Sequence, residues 1–103
     1  MVQNEKVTNL LSMAQRAGKC ASGQFAVKSA LDSGKVTLML IAGDAAESVK
    51  KEYSTAATAK NIPYYEVLDR EALGHCLGKE LRSVAVLLDK GFSKAMEKRI
   101  TER

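Results

Sequence analysis

The fold of this chain is decided by residues 16–44, which read RAGKCASGQFAVKSALDSGKVTLMLIAGD. Ser22 is predicted to cap a helix that starts at Gly23, because its hydroxyl can accept hydrogen bonds from the free amides of the first turn. Gly34 is predicted to end that helix in the left-handed conformation. Residues 36–42 are apolar except for one threonine, as expected of a strand that is covered on both faces. The apolar face of the helix comprises Ala26, Val27, Ala30 and Leu31, which recur at helical spacing.

The amino end of this helix is predicted to bind phosphate. A helix amino terminus offers unpaired N–H groups and a partial positive charge. Gly23 has no side chain, so another backbone or a ligand can approach it closely. Lys19, Lys28 and Lys35 lie near it in the sequence. These features together indicate an anion-binding helix end.

Two further helices are indicated on either side of this stretch. Asn4 is predicted to cap the first of them, and Gly18 to close it. Asp44 and Glu47 have capping-box spacing and are predicted to start a helix after the buried strand. The predicted inner faces of the two helices comprise Val7, Leu10, Leu11, Ala14 and Ala17 in the first, and Val49, Tyr53, Ala56, Ala57 and Lys60 in the second.

The second half of the chain continues the alternation of helices and strands. Strands are predicted at residues 64–68 and 84–88, with a short helix between them that Asp69 caps and Gly78 closes. Ser93 is predicted to cap a last helix. The sequence therefore predicts an α/β fold, a three-layer α-β-α sandwich around a small mixed sheet. No repeat, linker or low-complexity segment interrupts the chain, so residues 1–103 are expected to form a single domain.

Composition favours a binding protein in a reducing compartment. Sixteen Lys/Arg against twelve Asp/Glu give a net charge of +4, which favours a polyanionic partner. Cys20 and Cys76 have no metal-ligand spacing and are expected to be free thiols, and the single histidine, His75, excludes a histidine-rich metal site. No apolar run approaches the roughly 20 residues of a membrane span. The polar, acidic first residues do not resemble a signal peptide, so we expect a soluble, cytoplasmic protein.

The sequence contains no arrangement typical of an enzyme. The pairs Gly18-Lys19 and Gly34-Lys35 lack the frame of a phosphate-binding loop. The acidic residues are scattered singly, and no close pair suits acid–base chemistry. Asp44 is interpreted as a turn or capping residue, as is Asp89. We therefore expect no catalytic residues, no metal and no cofactor.

A binding surface is better supported. The Gly23 helix end, the turn at Gly34 and Lys35, and the link at residues 79–82 each offer amides or cations. We expect them to converge at one end of the sheet. Leu81 is an apolar residue in an otherwise charged link. It either folds back onto the core or covers an unstacked base, which is a common mode of RNA recognition.

Five segments carry a family resemblance that spans nearly the whole chain. They are RAGKCASG, KSALDSGKVTLMLIAGDA, NIPYYEV, ALGHCLGKE and SVAVLLDKGF. In this order they resemble the kink-turn RNA-binding ribosomal proteins of the archaeal L7Ae type, and most of all their bacterial branch, the YlxQ-type ribosomal-like proteins. The resemblance implies an α-β-α sandwich that binds structured RNA, either ribosomal RNA or a kink-turn, without catalysis. It also makes ribosomal proteins possible neighbours.

The RNA signature of that family is matched in part. It runs glycine, any residue, asparagine, glutamate, two of any kind, then lysine. Gly23 matches the glycine, whereas Phe25, Ala26 and Ser29 stand at the asparagine, glutamate and lysine positions, and Lys28 comes one residue before the last of these. A different RNA site or weaker kink-turn selectivity is therefore expected. Together with the basic residues, the resemblance implies contacts to RNA from Lys19, Ser22, Gly23, Gln24, Phe25, Lys28, Lys35, Glu80, Leu81 and Arg82.

The sequence thus favours non-catalytic binding of structured RNA. Gly23 and Gln24 are expected to meet the RNA backbone, the lysines and Arg82 to neutralise phosphates, and Leu81 to cover a base. Phosphate contacts of this kind position a partner without specifying its sequence. Two alternatives stay open: a protein-interaction module on this fold that has lost RNA binding, and a small-molecule or nucleotide-binding α/β domain.

Overall fold

The computed structural model describes residues 2–101, and the side chains of residues 5–101. Helices and strands alternate through most of this range, as the sequence predicts. In chain order they are α1 Val2–Arg16, β1 Cys20–Ser22, α2 Gln24–Asp32, β2 Leu38–Ile41, α3 Glu47–Ala59, β3 Tyr64–Glu66, α4 Arg70–His75, β4 Val84–Leu87 and α5 Lys90–Thr101.

The strands form one mixed sheet in the order β1-β4-β2-β3. Strand β4 is antiparallel to both neighbours, with Ala85 opposite Ser22 of β1 and Leu40 of β2, whereas β2 and β3 are parallel. All residues of β2 and β4 are buried, as expected of central strands covered on both faces. The predicted strand boundaries extend one or two residues too far, but the three predicted strands are confirmed.

Side-chain contacts assign the helices to the two faces of the sheet. The Tyr65 hydroxyl of β3 donates to the Glu97 carboxylate of α5 at 2.9 Å, and α5 packs against α1. The next residue of β3, Glu66, points to the opposite face, where its carboxylate lies 3.3 Å from the Lys50 ammonium of α3. An ion pair between α2 and α3 places α2 on the α3 side. The chain is therefore the predicted three-layer sandwich.

The core fills the space between these layers. The inner face of α1 is buried as predicted at Val7, Leu10, Leu11 and Ala14, but Ala17 lies beyond the helix and is exposed. The Ser12 hydroxyl donates to the Cys76 carbonyl at 2.7 Å and ties α1 to the end of α4. The largest fully buried side chains are Tyr53, Leu11, Leu38, Met39, Leu40, Ile41, Leu73, Leu87, Met96, Val27, Val84 and Val86.

The predicted glycine caps are confirmed. Gly18, Gly34 and Gly78 all have a φ of +72°, a conformation that glycine adopts without strain. After Gly34, the Lys35 amide donates to the Ala30 carbonyl at 3.3 Å, which is the long bond of a Schellman motif. Asp69 caps α4 as predicted, because its carboxylate accepts from the Ala72 amide at 2.7 Å.

Four other predicted caps are wrong. Ser22 lies in β1, and α2 begins after Gly23 without a side-chain cap. Asp44 accepts instead from the Arg70 amide at 2.8 Å, so it joins the β2–α3 turn to α4. Helix α1 begins at Val2, so Asn4 lies inside it, although its side chain is outside the described ones. Ser93 is buried within α5 and hydrogen-bonds the Thr37 hydroxyl.

Asp89 starts α5 in place of Ser93. Its carboxylate accepts from the Phe92 amide at 2.9 Å, and its carbonyl from the Ser93 amide at 3.0 Å. The interpretation of Asp89 as a capping residue is therefore confirmed. One helix face is also corrected: Lys60 follows α3 and is exposed, although the spacing places it on the inner side.

Candidate nucleic-acid interface

Helix α2 starts at the end of the sheet where β1 ends and β4 begins. Gly23 connects β1 to α2 with a φ of 87°, and its amide donates to the Val84 carbonyl of β4 at 3.3 Å. A side chain at this φ is strained, so the connection requires glycine. Because α2 has no side-chain cap, the amides of its first turn are open to a ligand. We call this end of the sheet, with Gly23 and residues 79–82, the Gly23 end.

The link at residues 79–82 lies across α4 and reaches the start of α2. The Arg82 amide donates to the Arg70 carbonyl at 3.1 Å and fixes the end of the link. Gly74 of α4 makes the crossing possible, since a Cβ built on it would lie 1.8 Å from the Glu80 carbonyl oxygen. Gly74 thus acts on the site by allowing the Glu80 backbone to lie directly on the helix.

The Arg82 guanidinium lies beside Gly23 with most of its donors unused. A Cβ on Gly23 would be 3.6 Å from Arg82 Nε. Nη1 donates to the Leu81 carbonyl at 2.9 Å, and Nε is buried without a partner in the described part of the chain. A guanidinium has five N–H donors, and a buried donor left unpaired costs about 1–3 kcal/mol. The arrangement therefore favours a ligand that brings hydrogen-bond acceptors.

The start of α2 and the link form one concave surface of about 210 Å³. Leu81 is 55% exposed at this surface, which excludes the interpretation that it folds back onto the core. Gln24, with an amide side chain, is also exposed. The predicted convergence of these two segments is therefore confirmed. The surface is lined by Gly23, Gln24, Leu81, Arg82, Ser83 and Val84.

Phe25 is the most exposed large apolar side chain among the described residues, at 89%. It lies in the first turn of α2 and borders a second concave surface, which Lys28 and Ser29 also line. At this exposure it does not pack against α1 or against the core. A solvent-exposed aromatic ring beside the uncapped amides of α2 is suited to stack on a base.

The remaining predicted contact residues are dispersed. Lys28 is exposed, but its ammonium lies 3.3 Å from the Glu52 carboxylate, so its charge is partly compensated. Ser22 is half-buried in β1, and Glu80 is exposed on the link. Lys19 and Lys35 lie at the opposite end of the sheet: Lys19 precedes β1 and its carbonyl accepts from the Leu88 amide after β4, while Lys35 precedes β2. The expectation that the Gly34–Lys35 turn joins the other segments is wrong.

The cysteines are unsuited to nucleophilic chemistry. Burial, and to a smaller extent the neighbouring Cys76, raises the pKa of the Cys20 thiol to about 12. Burial likewise raises the pKa of Cys76 to about 11. Both are free thiols and stay protonated near neutral pH. No group of three metal-ligating side chains exists among residues 5–101.

Residues 2–101 form no helix that is both long and apolar enough to span a membrane.

Two contributions to the site were missed at the sequence level. Gly74 lies within the segment ALGHCLGKE, and its role could not be predicted because the approach of the Glu80 backbone depends on the path of the link. Arg70 is the other: its carbonyl anchors Arg82, and its guanidinium Nε lies 3.5 Å from the Asp44 carboxylate. Two glycines four residues apart, Gly74 and Gly78, were a signal that one of them serves packing rather than capping.

Comparison with known proteins shows which family this sequence matches. The sequence model of the ribosomal protein L7Ae/L30e/S12e/Gadd45 family matches residues 5–97. The RNA-binding protein YlxQ of Bacillus subtilis strain 168 is 32% identical over 87 residues, which span 84% of this chain and 87% of that protein. The RNA-binding protein YlxQ of Enterococcus faecium is 29% identical over 90 residues, spanning 87% and 86% respectively.

Solved structures agree with the fold. A protein of unknown function from Bacillus halodurans superposes with a TM-score of 0.89 at 34% identity, covering 94% of this chain and 98% of that one. The 15.5kD RNA binding protein of Giardia lamblia superposes with a TM-score of 0.78 at 18% identity, covering 97% of this chain and 86% of that one. At that identity, the second likeness concerns the fold alone.

Proposed function

The chain belongs to the ribosomal protein L7Ae/L30e/S12e/Gadd45 family, and from this premise we propose that it binds structured RNA through its Gly23 end. Membership confirms the resemblance found in the sequence. It also makes the chain a binding protein and not an enzyme, as its YlxQ relatives are RNA-binding proteins. The RNA is proposed to be ribosomal RNA or a kink-turn-like element in the cytoplasm, with ribosomal proteins as neighbours.

The proposal rests above all on the pairing of Arg82 with Gly23. A guanidinium with unused donors beside an uncapped helix start offers two sets of N–H groups to one ligand. Phosphate oxygens and the acceptor edges of bases match such donors. The groove between them, about 210 Å³, is smaller than the roughly 300–1,000 Å³ of small-molecule sites, which favours one segment of a polymer over an enclosed small molecule.

Base recognition is proposed to use stacking in place of the usual polar side chains. At the asparagine and glutamate positions of the family signature this chain has Phe25 and Ala26, which cannot accept hydrogen bonds through their side chains. Exposed Phe25 and Leu81 flank Gln24 and offer apolar surfaces to unstacked bases. Stacking is tolerant of base identity. We therefore propose selectivity for the shape of an RNA with splayed bases, and weak discrimination among bases.

The experiment that tests this function compares Phe25→Ala with Met13→Ala. Both side chains are exposed and apolar, but Met13 lies on α1, outside the two concave surfaces described above. Affinity for a kink-turn RNA and for a plain duplex is measured by fluorescence anisotropy. Loss of one stacked base is worth about 1–3 kcal/mol, roughly 5- to 150-fold in Kd. Phe25→Ala is expected to weaken kink-turn binding by that factor, and Met13→Ala to leave it unchanged.

Two results would reject the proposal. Wild-type protein that binds neither RNA at low salt would favour a protein-interaction module on this fold. Equal losses for Phe25→Ala and Met13→Ala would mean that apolar exposure contributes without a defined site. Melting temperatures of both variants serve as the control, since neither side chain is buried.

A further inference from the structure

A third concave surface lies at the end of the sheet opposite the Gly23 end. It is a groove of about 440 Å³ between the α3–β3 connection and α5. Val36 and Ile62 form apolar parts of its lining, and Lys60, Lys90 and Lys94 line it as well. We call it the lysine groove. It is separated from the Gly23 end by the length of the sheet, because β4 starts beside Gly23 and ends just before Lys90.

The three lysines of this groove are unpaired in the described part of the chain. Lys60 follows α3, and Lys90 and Lys94 stand one turn apart on α5, so two separate elements direct cations to one place. All three are exposed, and none forms an ion pair with a described carboxylate. Glu97 also lines the groove and accepts from the Tyr65 hydroxyl, but three ammonium groups outnumber its one carboxylate. The groove is therefore positively charged.

Net charge is distributed unequally between the two ends. Carboxylates offset the cations around the Gly23 end, where Arg70 is paired with Asp44. On the link and around α4 these are Arg70, Lys79 and Arg82 against Asp44, Asp69, Glu71 and Glu80, and at the start of α3 Lys50 is paired with Glu47 and Glu66. At the opposite end the lysines of the groove are joined by Arg16, Lys19 and Lys35, against Asp32, Asp89 and Glu97. The excess positive charge of the chain thus lies away from the site that the family signature marks.

We propose that the lysine groove binds the phosphate backbone of a second RNA segment, so that the protein bridges two parts of one folded RNA. This inference rests on the proposed function. Clefts lined by charge of one sign concentrate counter-ions, and lysine ammonium groups pair with phosphates without reading sequence. The molecule measures 32 × 28 × 26 Å, and the two surfaces lie at opposite ends of the sheet. A short stem-loop occupies one of them, whereas a large folded RNA reaches both.

The test uses neutral substitutions with a matched control. Lys90→Gln with Lys94→Gln removes two charges from the groove, and Lys51→Gln with Lys98→Gln removes two exposed lysines that do not line it. Affinity is measured against salt for a short stem-loop and for a large folded ribosomal RNA fragment. Each phosphate contact contributes roughly −0.7 to −0.9 to the slope of log K against log salt.

The groove variant is expected to lower the steepness of that slope by about 1.4–1.8 for the large RNA and to leave the stem-loop slope unchanged. A groove variant that matches the Lys51/Lys98 control on the large RNA would overturn the inference while the proposed function stands. Failure of wild-type protein to bind either RNA would overturn both. Poly-glutamate is the third probe: binding that the groove variant abolishes, with RNA binding intact, would assign the groove to an acidic protein segment and reject an RNA contact.

Discussion

Replacing Gly74 by alanine should displace the link that carries the proposed RNA site while leaving the fold in place. The new Cβ would lie 1.8 Å from the Glu80 carbonyl oxygen and 2.6 Å from its carbon. To reach an ordinary contact of at least 3.4 Å, the carbonyl has to move by about 1.6 Å. Both atoms belong to the backbone, so no side-chain rotation relieves the contact. The Arg82 amide then loses its 3.1 Å bond to Arg70, and its guanidinium leaves Gly23.

The magnitude follows from opposing effects. Crowding of a packed site costs about 1–3 kcal/mol, and alanine gains back about 1 kcal/mol over glycine within a helix. We expect a net loss of about 1 kcal/mol in the free energy of unfolding by urea denaturation, and a loss of about tenfold in RNA affinity by anisotropy. Gly91→Ala is the matched control in α5, because its Cβ meets a side-chain atom, the capping carboxylate of Asp89 at 3.1 Å, and no backbone atom. Full RNA affinity in a folded Gly74→Ala protein would refute the assignment of the link to the interface.

Three further predictions concern stability and reactivity. Asp69→Ala should lower the free energy of unfolding, measured by urea denaturation, by about 1 kcal/mol because α4 loses its cap. Asp69→Asn should keep most of that stability because asparagine also caps helices; equal losses in the two variants would contradict the capping role. Hydrogen bonding to Glu97 and then burial raise the pKa of Tyr65 above 10.0. The stabilisation relative to Tyr65→Phe, about 1 kcal/mol, should therefore be full below pH 10 and disappear as the pH rises through the folded-state pKa; a pH-independent difference would exclude this bond as its source. The native thiols of Cys20 and Cys76 should react with iodoacetamide at pH 8 at least a hundredfold more slowly than in urea, by mass spectrometry; fast native labelling would contradict their burial.

Much of the fold was predictable because it depends on local patterns. The stripe of α1, the buried strands and the glycine ends follow from periodicity and backbone conformation. Strand β1 was not predicted, because Cys20–Ser22 is three residues long and lacks alternation. It is a strand only through its pairing with β4, where Cys20 lies opposite Leu87. A tertiary partner, rather than local propensity, determines such a segment.

The missed caps have the same origin. Asp44 has ideal spacing to Glu47, but it bonds Arg70, a residue 26 positions away. Ser93 has a side chain that could cap a helix, but its hydroxyl is hydrogen-bonded to the hydroxyl of the distant Thr37 instead. A polar side chain can form a hydrogen bond with a nearby backbone group or with a residue far away in the sequence, and spacing in the sequence indicates only the nearby partner.

The candidate site residues were predictable where they lie at the start of α2 or on the link at residues 79–82. Gly23 and Gln24 were placed correctly beside Arg82, since a helix start and the link before β4 meet at the sheet end. Lys35 was grouped with them because it follows in sequence, yet α2 has nine residues and spans about 14 Å. It therefore lies at the other end. Lys35 is therefore close to Gly23 in sequence but not in space, and it adds to the positive charge at the end of the sheet where the lysine groove lies.

The most direct test of the RNA site is the side-chain resonance of Arg82. In the free protein its Nε–H is buried beside Gly23, with no acceptor among the residues that the structure describes. NMR spectra of the 15N-labelled protein, recorded while a kink-turn stem-loop is added, resolve the Nε–H groups of the individual arginines. The account predicts that the Arg82 signal shifts and its exchange with water slows, together with the amides of Gln24 and Phe25, while Arg99 is unaffected. An unchanged Arg82 signal at saturating RNA would contradict the account.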